Sequence, residues 1–246
     1  MTAPGTIRVV LPAYNEESAI GRVLDRVADA LAGRSHEVIV VDDGSRDRTA
    51  ALVREKAAGR PVQLLQHPTN LGLGTTLRDG LLAATQRSQG GDVVVTLDAD
   101  DTQPPEIIPA MASMIADGYD VVIASRYQPG ARVLGVPAYR GFLSQGASWL
   151  FRLVLPIEGV RDFTCGFRAY RAAALKAAID QRGASFFDQE GFQAMVDVLL
   201  KLRGRGLRFG EVPLVLRYDE KGGASKMKVW RTTWKTLLLL LRRRLG

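Results

Sequence analysis

The sequence predicts an α/β fold in which a mainly parallel sheet is sandwiched between helices. Short apolar runs rich in Val and Ile alternate with helical patterns of about 10–15 residues, which indicates repeated βαβ units. Polar and acidic residues follow directly after three of these runs, where a parallel sheet places its ligand sites. A chain of 246 residues, 46% of them hydrophobic, can fill the core that such a sheet needs.

The first half of the chain contains five predicted strands separated by helices. β-Branched residues dominate the strands, and apolar residues at helical spacing, such as Ile20, Val23 and Val27, mark the helices. The strands are predicted, in order, at residues 7–12, 37–42, 62–65, 93–97 and 120–125. The helices between them are predicted to end near residues 32, 58, 87 and 115.

The second half is less regular. Gly and Pro make residues 126–138 a predicted loop, and Pro156 ends a helix predicted to begin at Tyr139. The remaining predicted elements are a loop running into a strand at 162–170, a short helix at 172–179, an amphipathic helix at 190–203, a strand pair broken at Pro213 within 209–216, a basic loop at 218–227 and a last helix at 229–245.

Charge and composition indicate the kind of partner. A formal net charge of +7 favours an anionic partner such as a nucleotide, a phosphate or an acidic membrane surface. The aromatic and basic platform typical of nucleic-acid binding is not evident, so no nucleic acid is expected. The single cysteine, Cys165, excludes an internal disulfide. Without an apolar targeting core or a run of roughly 20 apolar residues, we expect a soluble or membrane-surface protein.

The strongest chemical signal lies in residues 93–106. A strand that reads as buried on both faces is followed directly by Asp98, and Asp100 stands two positions further on. In an extended chain, side chains at this spacing point the same way, so both carboxylates can flank one Mg²⁺ or Mn²⁺. Water and a diphosphate would complete the coordination. A simple acidic turn after a strand is the alternative interpretation.

Polar residues also follow the first two predicted strands. Pro12, Tyr14 and Glu16 follow the first, and Asp42 and Asp43 follow the second. Because parallel strands share one carboxyl edge, we expect both groups to lie in the same cleft as the acids of the fourth strand. In this nucleotide cleft, Asp42 or Asp43 would contact the base or ribose, and Tyr14 would stack on the base. The alternative is that Asp43 merely makes a turn and caps the next helix.

These segments occur in the order and at the separations found in a known family. Residues 11–16 (Leu-Pro-Ala-Tyr-Asn-Glu), 41–45 (Val-Asp-Asp-Gly-Ser) and 98–100 (Asp-Ala-Asp) resemble family 2 glycosyltransferases of the GT-A fold. Four later segments narrow the resemblance to the dolichol- or polyprenyl-phosphate mannose synthase branch: Ser125–Tyr127, Asp162–Arg168, Glu211–Pro213 and Gly223–Lys226. The resemblance covers about residues 7–228.

The resemblance implies an inverting transferase that uses a divalent metal. It implies a GT-A glycosyltransferase domain at 1–228, with a nucleotide-sugar half at 1–125 and an acceptor half at 126–228, before a basic amphipathic C-terminal helix at 229–246. By match, the nucleotide contacts fall on Pro12, Tyr14, Glu16 and Asp42 or Asp43. The metal site falls on Asp98, Asp100 and Gln103, and the acceptor-phosphate positions fall on Arg126, Arg140 and Ser144.

The residue chemistry agrees with these implications. A bound metal can neutralise the charge that develops on a departing nucleoside diphosphate. A phosphate acceptor is already anionic and needs no general base, but it needs guanidinium groups, which Arg126 and Arg140 can supply. Asp162 could be a catalytic base for a neutral hydroxyl acceptor, or it could cap a loop. Lys226 could close over the diphosphate or remain a solvated charge.

Two apolar stripes beside basic residues indicate a membrane surface. The first runs from Phe142 to Val154, and the second runs from Trp230 to Leu245 and includes Arg242–Arg244. Tryptophan, leucine and a basic rim are typical of a helix that lies in a membrane interface. Core packing is the alternative for the first stripe, and a membrane-anchored partner protein is the alternative for the second.

We therefore expect hexose transfer, with mannose from GDP-mannose as the first choice, onto a polyprenyl phosphate at the cytoplasmic face of a membrane. UDP-glucose is the second donor considered, and a soluble acceptor stays open. Residues 98–102 also match the D-x-D-x-T signature of haloacid-dehalogenase-like phosphohydrolases, in which Asp98 would be a nucleophile. Gly72–Leu77 is an incomplete dinucleotide fingerprint, which we interpret as a helix-capping loop near the diphosphate.

Overall fold

The computed structural model describes residues 5–136, 146, 148 and 150–220. Within them, the strands are β1 Ile7–Ala13, β2 His36–Asp42, β3 Val62–Gln66, β4 Val93–Thr96, β5 Val121–Ser125, β6 Arg132–Leu134, β7 Arg168–Arg171, β8 Phe209–Pro213 and β9 Val215–Arg217. The α-helices are α1 Ile20–Ala30, α2 Thr49–Ala57, α3 Leu73–Gln86, α4 Ile108–Ala116, α5 Ala172–Arg182 and α6 Gln193–Leu202. Short 3₁₀ helices lie at Pro105–Ile107, Gly183–Phe187 and Tyr218–Glu220.

Seven strands form the main sheet, in the order β3-β2-β1-β4-β7-β5-β8. Neighbouring strands are parallel except at β7, which is antiparallel to both β4 and β5. β1 lies between β2 and β4, with Ala13 opposite Asp42 and Val10 opposite Thr96. The predicted α/β class with a mainly parallel sheet is therefore confirmed, and the carboxyl ends of β2, β1 and β4 lie side by side.

The core lies between this sheet and its helices. β1, β4 and β5 are buried over nearly their whole length, as their Val and Ile content predicts. The apolar stripe of α1 is buried, including Ile20 and Val23. Gly80 lets α3 lie close to β1, because a Cβ at this position would come within 2.4 Å of the Val10 side chain. α3 is thereby fixed against the strands whose ends carry the predicted site.

The second half differs from the sequence prediction in three ways. β6 forms inside the predicted loop 126–138. The strand pair broken at Pro213 divides between two sheets, because β8 pairs with β5 whereas β9 pairs with β6 in a separate two-stranded sheet. The helix predicted to be amphipathic is α6, and all its residues are buried. Even Lys201 is inside the protein, where its ammonium donates to the backbone carbonyls of Ser185 and Phe186.

Most of the predicted membrane-surface segments lie outside the described residues, including 229–246 and most of 139–149. At the described end of the first stripe, residues 150–154 are helical. Phe151 is buried there and stacks on Phe163 with ring centroids 5.3 Å apart, whereas Leu153 is 65% exposed. In the part of the chain that the structure describes, no helix has both the length and the apolar character needed to cross a membrane.

Candidate active site

A cavity of about 420 Å³, here called the β1–β4 cavity, opens where β1 and β4 end and α3 begins. Its walls come from the segments after β1 and β4, the residue after β2 and the first turn of α3. Six of the residues predicted from the sequence line it together: Pro12, Tyr14, Glu16, Asp43, Asp98 and Asp100. The expectation that three strand ends share one cleft therefore agrees with the structure.

The two acids after β4 lie on the wall of this cavity. β4 ends at Thr96 and the chain turns at residues 99–100, so the extended geometry assumed from the sequence is wrong. Asp98 and Asp100 nevertheless both line the cavity and are half-buried. The Gln103 amide donates to Asp98 Oδ2 at 2.7 Å, and the Thr102 hydroxyl donates to Asp100 Oδ1 at 2.7 Å. Both carboxylates are thus held in place by neighbouring side chains.

The donor atoms at this wall fit a hard divalent cation. Asp98 and Asp100 supply carboxylate oxygens, the ligands that Mg²⁺ prefers, and Mg²⁺ commonly binds one or two carboxylates together with substrate phosphates and water. Within the described residues, no group of three or more His, Cys, Asp or Glu side chains is arranged to hold a metal. The side-chain Oε1 of Gln103 accepts from the Asp98 backbone N–H at 3.1 Å, so the observed contacts of Gln103 orient Asp98. Direct coordination by Gln103 stays a prediction.

The two acids at the end of β2 have different surroundings. Asp43 lines the cavity, and its carboxylate accepts hydrogen bonds from the backbone N–H groups of Leu71 at 2.8 Å and Gly72 at 2.9 Å. Asp42 is fully buried, bonds within its own turn and does not line the cavity. Of the two residues that the sequence left open, the structure therefore brings Asp43 to the cleft. The turn of the alternative interpretation is instead closed by Asp42, whose Oδ1 accepts from the Ser45 backbone N–H at 3.2 Å.

The loop held by Asp43 forms one wall of the cavity. His67 lies behind this loop, with Nδ1 2.8 Å from Asp43 Oδ1 and Nε2 3.1 Å from Asp79 Oδ2 on α3. Gly72 has φ +88 where α3 begins, a conformation that favours glycine. The first backbone N–H groups of a helix lack partners within the helix, so this end of α3 suits an anionic group. A second cavity of about 470 Å³ shares Tyr14 and Asn70 with the first.

Arg126, the first residue after β5, is fixed by Asp162. Its Nε lies 2.8 Å from Asp162 Oδ2 and its Nη2 lies 2.7 Å from Oδ1, a bidentate arrangement. The same Nη2 also donates to the Thr164 hydroxyl at 2.6 Å. Glu211 on β8 accepts hydrogen bonds from the backbone N–H groups of Arg161 at 2.6 Å and Asp162 at 2.7 Å. β8 thus fixes the loop that fixes Arg126.

This pair has a consequence for proton transfer. Burial would raise the pKa of Asp162, but the charge and hydrogen bonds of Arg126 outweigh it and hold that pKa below its ordinary value. Cys165 lies close to the pair, and burial followed by the charge of Asp162 raises the pKa of its thiol to about 12. A catalytic base works best with a pKa near the operating pH. The geometry therefore supports Asp162 as the residue that holds Arg126, and gives no support to a base role.

Not every predicted site residue can be placed. Arg140, Ser144 and Lys226 lie outside the described residues, so Arg126 is the described member of the predicted acceptor set. The cavity wall also contains Asn70 and Thr76, which the sequence did not single out individually. The sequence pointed to them only indirectly, because both lie in or next to the glycine loop at the start of α3, which was predicted to lie near the diphosphate.

The architecture is similar to that of solved glycosyltransferases. Glucosyl-3-phosphoglycerate synthase from Mycobacterium tuberculosis, solved with Mn²⁺, uridine diphosphate and glucosyl-3-phosphoglycerate, matches with a TM-score of 0.69 and 22% sequence identity. The match covers 97% of this chain and 80% of that chain. The fold, a mainly parallel sheet between helices with an acid-lined cavity at its carboxyl edge, is of the GT-A class.

Sequence comparison gives the family. The model of glycosyl transferase family 2 matches residues 8–178, and the chain belongs to this family. Dolichol-phosphate mannosyltransferase of Pyrococcus furiosus is 33% identical over 223 residues, covering 90% of this chain and 59% of the relative. Polyprenol monophosphomannose synthase of Mycolicibacterium smegmatis is 32% identical over 232 residues, covering 91% and 84%. The chain therefore spans a little over half of the first relative's length. This family membership excludes the haloacid-dehalogenase-like phosphohydrolase alternative.

Proposed function

We propose that the protein transfers a hexose from a nucleoside diphosphate sugar to the phosphate of a polyprenyl phosphate, with inversion at the sugar. One observation carries this proposal: Asp98 and Asp100 share a single cavity with Tyr14 and Asp43 at the carboxyl edge of the sheet. Two carboxylates for a cation, an aromatic ring for a base and a polar wall are what a nucleotide sugar needs. The names of the two relatives support the lipid acceptor.

The donor would occupy the β1–β4 cavity. Asp98 and Asp100 would hold Mg²⁺ or Mn²⁺, which when bound neutralises charge on the leaving diphosphate. The first turn of α3 would offer backbone N–H groups to the same diphosphate. Tyr14 would stack on the base, and Asp43 would hold the wall beside the ribose. Pro12 and Glu16 would complete this wall, and Lys226 would close over the diphosphate.

The acceptor phosphate would be held by Arg126, with Arg140 and Ser144 as further contacts. Since Nε and Nη2 of Arg126 donate to Asp162 and Thr164, the N–H donors of Nη1 would bind the phosphate. A phosphate oxygen attacks the anomeric carbon, the bond from that carbon to the diphosphate oxygen breaks, and the nucleoside diphosphate leaves with the electron pair. An ionised phosphate has no proton to lose at the attacking oxygen. Asp162 therefore serves this step by orienting Arg126.

The donor is proposed to be GDP-mannose. The dolichol-phosphate and polyprenol relatives are named for mannose transfer, and they are more similar in sequence than the solved synthase. UDP-glucose is the second candidate, because that synthase was also solved with uridine-diphosphate-glucose and Mn²⁺. Sugar and base are decided by few contacts, so a test of both donors is required.

We further propose that the protein works at the cytoplasmic face of a membrane. A polyprenyl phosphate presents its phosphate at the surface of a bilayer, so the enzyme must bind there. The net charge of +7 and the basic, leucine-rich segment 229–246 support contact with an anionic surface. A membrane-anchored partner protein is the alternative ligand of this segment.

Radiolabelled GDP-mannose and UDP-glucose, each incubated with purified protein and Mn²⁺, test the proposal. We expect chloroform-soluble label from GDP-mannose only when polyprenyl phosphate is present, and none when EDTA replaces Mn²⁺. Arg126→Gln should raise the KM for polyprenyl phosphate, whereas the exposed Arg182→Gln should not. Chloroform-soluble label from UDP-glucose and not from GDP-mannose would make UDP-glucose the donor. Label that stays in the aqueous phase would rule out the lipid acceptor, and no transfer from either donor would overturn the proposal.

A further inference from the structure

The turn after β4 contains a third acid whose environment differs from that of the first two. Asp101 has φ +63, in the left-handed region that residues other than glycine rarely adopt, and its side chain is 6% exposed. Arg22 and Arg26 on α1 hold it from one side. Arg22 Nε lies 3.0 Å from Asp101 Oδ2, and Arg26 Nη1 lies 2.6 Å from Oδ1. Both carboxylate oxygens are therefore paired.

We propose that Asp101 is a positioning residue that fixes this turn and so sets the geometry in which Asp98 and Asp100 hold the divalent cation. The inference rests on the metal site of the proposed function. Asp101 directly follows Asp100, so the left-handed backbone at Asp101 decides where the chain goes after the second ligand. A carboxylate held at both oxygens by two side chains of one helix cannot rotate freely, and contacts behind the ligands of a metal commonly tune its affinity.

The rest of the segment fits this role. Arg26 also pairs with Glu106, through Nε to Oε1 at 2.9 Å and Nη2 to Oε2 at 2.8 Å, so one α1 side chain contacts the segment at two points. Between these points, Thr102 and Gln103 donate to the two ligand carboxylates. α1 holds the segment from outside, while residues within it orient the ligands.

Charge alone and positioning of the turn predict opposite effects of Arg22 and Arg26 on cation binding, so the two can be told apart by experiment. Asp101 is an anion close to the cation site, so its charge alone could favour metal binding. Removing Arg22 and Arg26 would make the turn more negative and, by charge alone, would tighten cation binding. If the two arginines position the turn, their removal weakens cation binding instead. The double variant Arg22→Gln/Arg26→Gln separates the two effects.

The test is calorimetric titration of GDP and UDP into the protein, once with Mn²⁺ and once with EDTA. The readout is the ratio of the two Kd values for whichever nucleotide the wild type binds. Asp101→Gly permits the left-handed backbone but removes both ion pairs. We expect Asp101→Gly to lower the ratio of the Kd in EDTA to the Kd with Mn²⁺ by about 10-fold or more, while the Kd in EDTA stays unchanged. The arginine double variant should change the ratio in the same direction.

Asp25→Asn is the matched control. Asp25 also lies on α1 and pairs with two cations, Lys56 at 2.7 Å and Arg60 at 2.6 Å, away from the turn. It should leave the ratio at its wild-type value. A folded Asp101→Gly protein with the wild-type ratio, or an arginine double variant that binds Mn²⁺ and nucleotide more tightly, overturns the inference.

Two further results of these titrations also decide the inference. If Mn²⁺ does not change nucleotide binding by the wild type, the proposed metal site fails together with this inference. If Asp101→Gly does not fold, Asp101→Asn replaces it, because asparagine tolerates the left-handed region and removes the charge. The expected direction is then the same, and an unchanged ratio again overturns the inference.

Discussion

Asp100 is the residue on which the donor half of the proposal depends most directly. Asn at this position can still accept the hydrogen bond from the Thr102 hydroxyl, so the turn is kept while the charge is lost. We expect Asp100→Asn to reduce turnover at least about 100-fold, the scale seen when one group that stabilises transition-state charge is removed. The measurement is kcat with saturating Mn²⁺ and donor.

Asp117→Asn is the control for Asp100→Asn. Asp117 is an exposed acid at the end of α4, away from the β1–β4 cavity, and its replacement should leave kcat unchanged. Wild-type turnover by a folded Asp100→Asn variant would contradict the role given to this carboxylate, whatever the effect on KM.

Asp162 has a role that pH can reveal. Its pKa is held below the ordinary value by Arg126, so the ionised form contributes stability above the unfolded pKa of about 3.9 and loses it as pH falls through the lower, folded pKa. Asp162→Asn leaves the half-buried Arg126 without its counter-ion. At pH 7 we expect the free energy of unfolding to fall by about 3–5 kcal/mol. Urea unfolding of both proteins at several pH values measures this.

The difference between wild type and Asp162→Asn should shrink as pH falls below about 4, because the wild-type carboxylate then takes up a proton first in the unfolded chain and, at lower pH, in the folded protein. A difference that stays constant over this range would mean that the ion pair is not its source. Thr164→Val is a useful comparison, since it removes a hydroxyl that accepts from Arg126 and donates to Asp162 but keeps the ion pair, and it should give a smaller effect that varies less with pH.

At the level of secondary structure elements, the first turn of α3 must stay close to the segment before α6. A Cβ on Gly74 would lie 2.4 Å from the Gln189 carbonyl oxygen and 3.0 Å from Glu190 Cα, so backbone would have to move. Since Leu73 and Thr76 line the cavity, we expect Gly74→Ala to weaken nucleotide binding. It should also lower the free energy of unfolding by about 1–3 kcal/mol. Calorimetry with GDP or UDP and urea unfolding measure the two effects.

Gly90→Ala is the matched control for Gly74→Ala. Gly90 is exposed, has no atom within 4 Å of an added Cβ and is not in the left-handed region, so both quantities should stay at wild-type values. If Gly74→Ala destabilises the protein but leaves nucleotide affinity unchanged, the first turn of α3 is not part of the donor site.

The sequence predicted the elements whose signals are local. Runs of β-branched residues located β1 and β2 within one or two residues, and the acids after β4 were found by position. The antiparallel insertion of β7 between β4 and β5 was missed, because strand order depends on pairing between distant segments. Arg22 and Arg26 were missed for the same reason, since they contact Asp101 across 79 and 75 residues. Asp42 and Asp43 could not be separated, because which acid reaches the cleft depends on tertiary packing.

For the whole molecule, the candidate site and the net positive charge favour two anionic substrates, the donor and the acceptor of the proposed reaction. The proposed donor carries a diphosphate and the proposed acceptor carries a phosphate, and the chain has a net charge of +7. Part of this charge is concentrated in Arg242–Arg244, beside Trp234 and several leucines. If the acceptor is a membrane lipid, this concentration gives the protein an orientation at the bilayer surface as well as an affinity for it.

Vesicle flotation tests this last point. We expect the protein to float with vesicles containing phosphatidylglycerol at about 0.1 M salt and to be released at about 1 M, where the screening length falls to roughly 3 Å. Vesicles of phosphatidylcholine alone should bind less protein. Replacing Arg242, Arg243 and Arg244 by Gln should reduce binding more than replacing the exposed Arg34, Arg182 and Arg203. Equal losses would assign the attraction to overall charge, and no binding to anionic vesicles would contradict the proposed membrane surface.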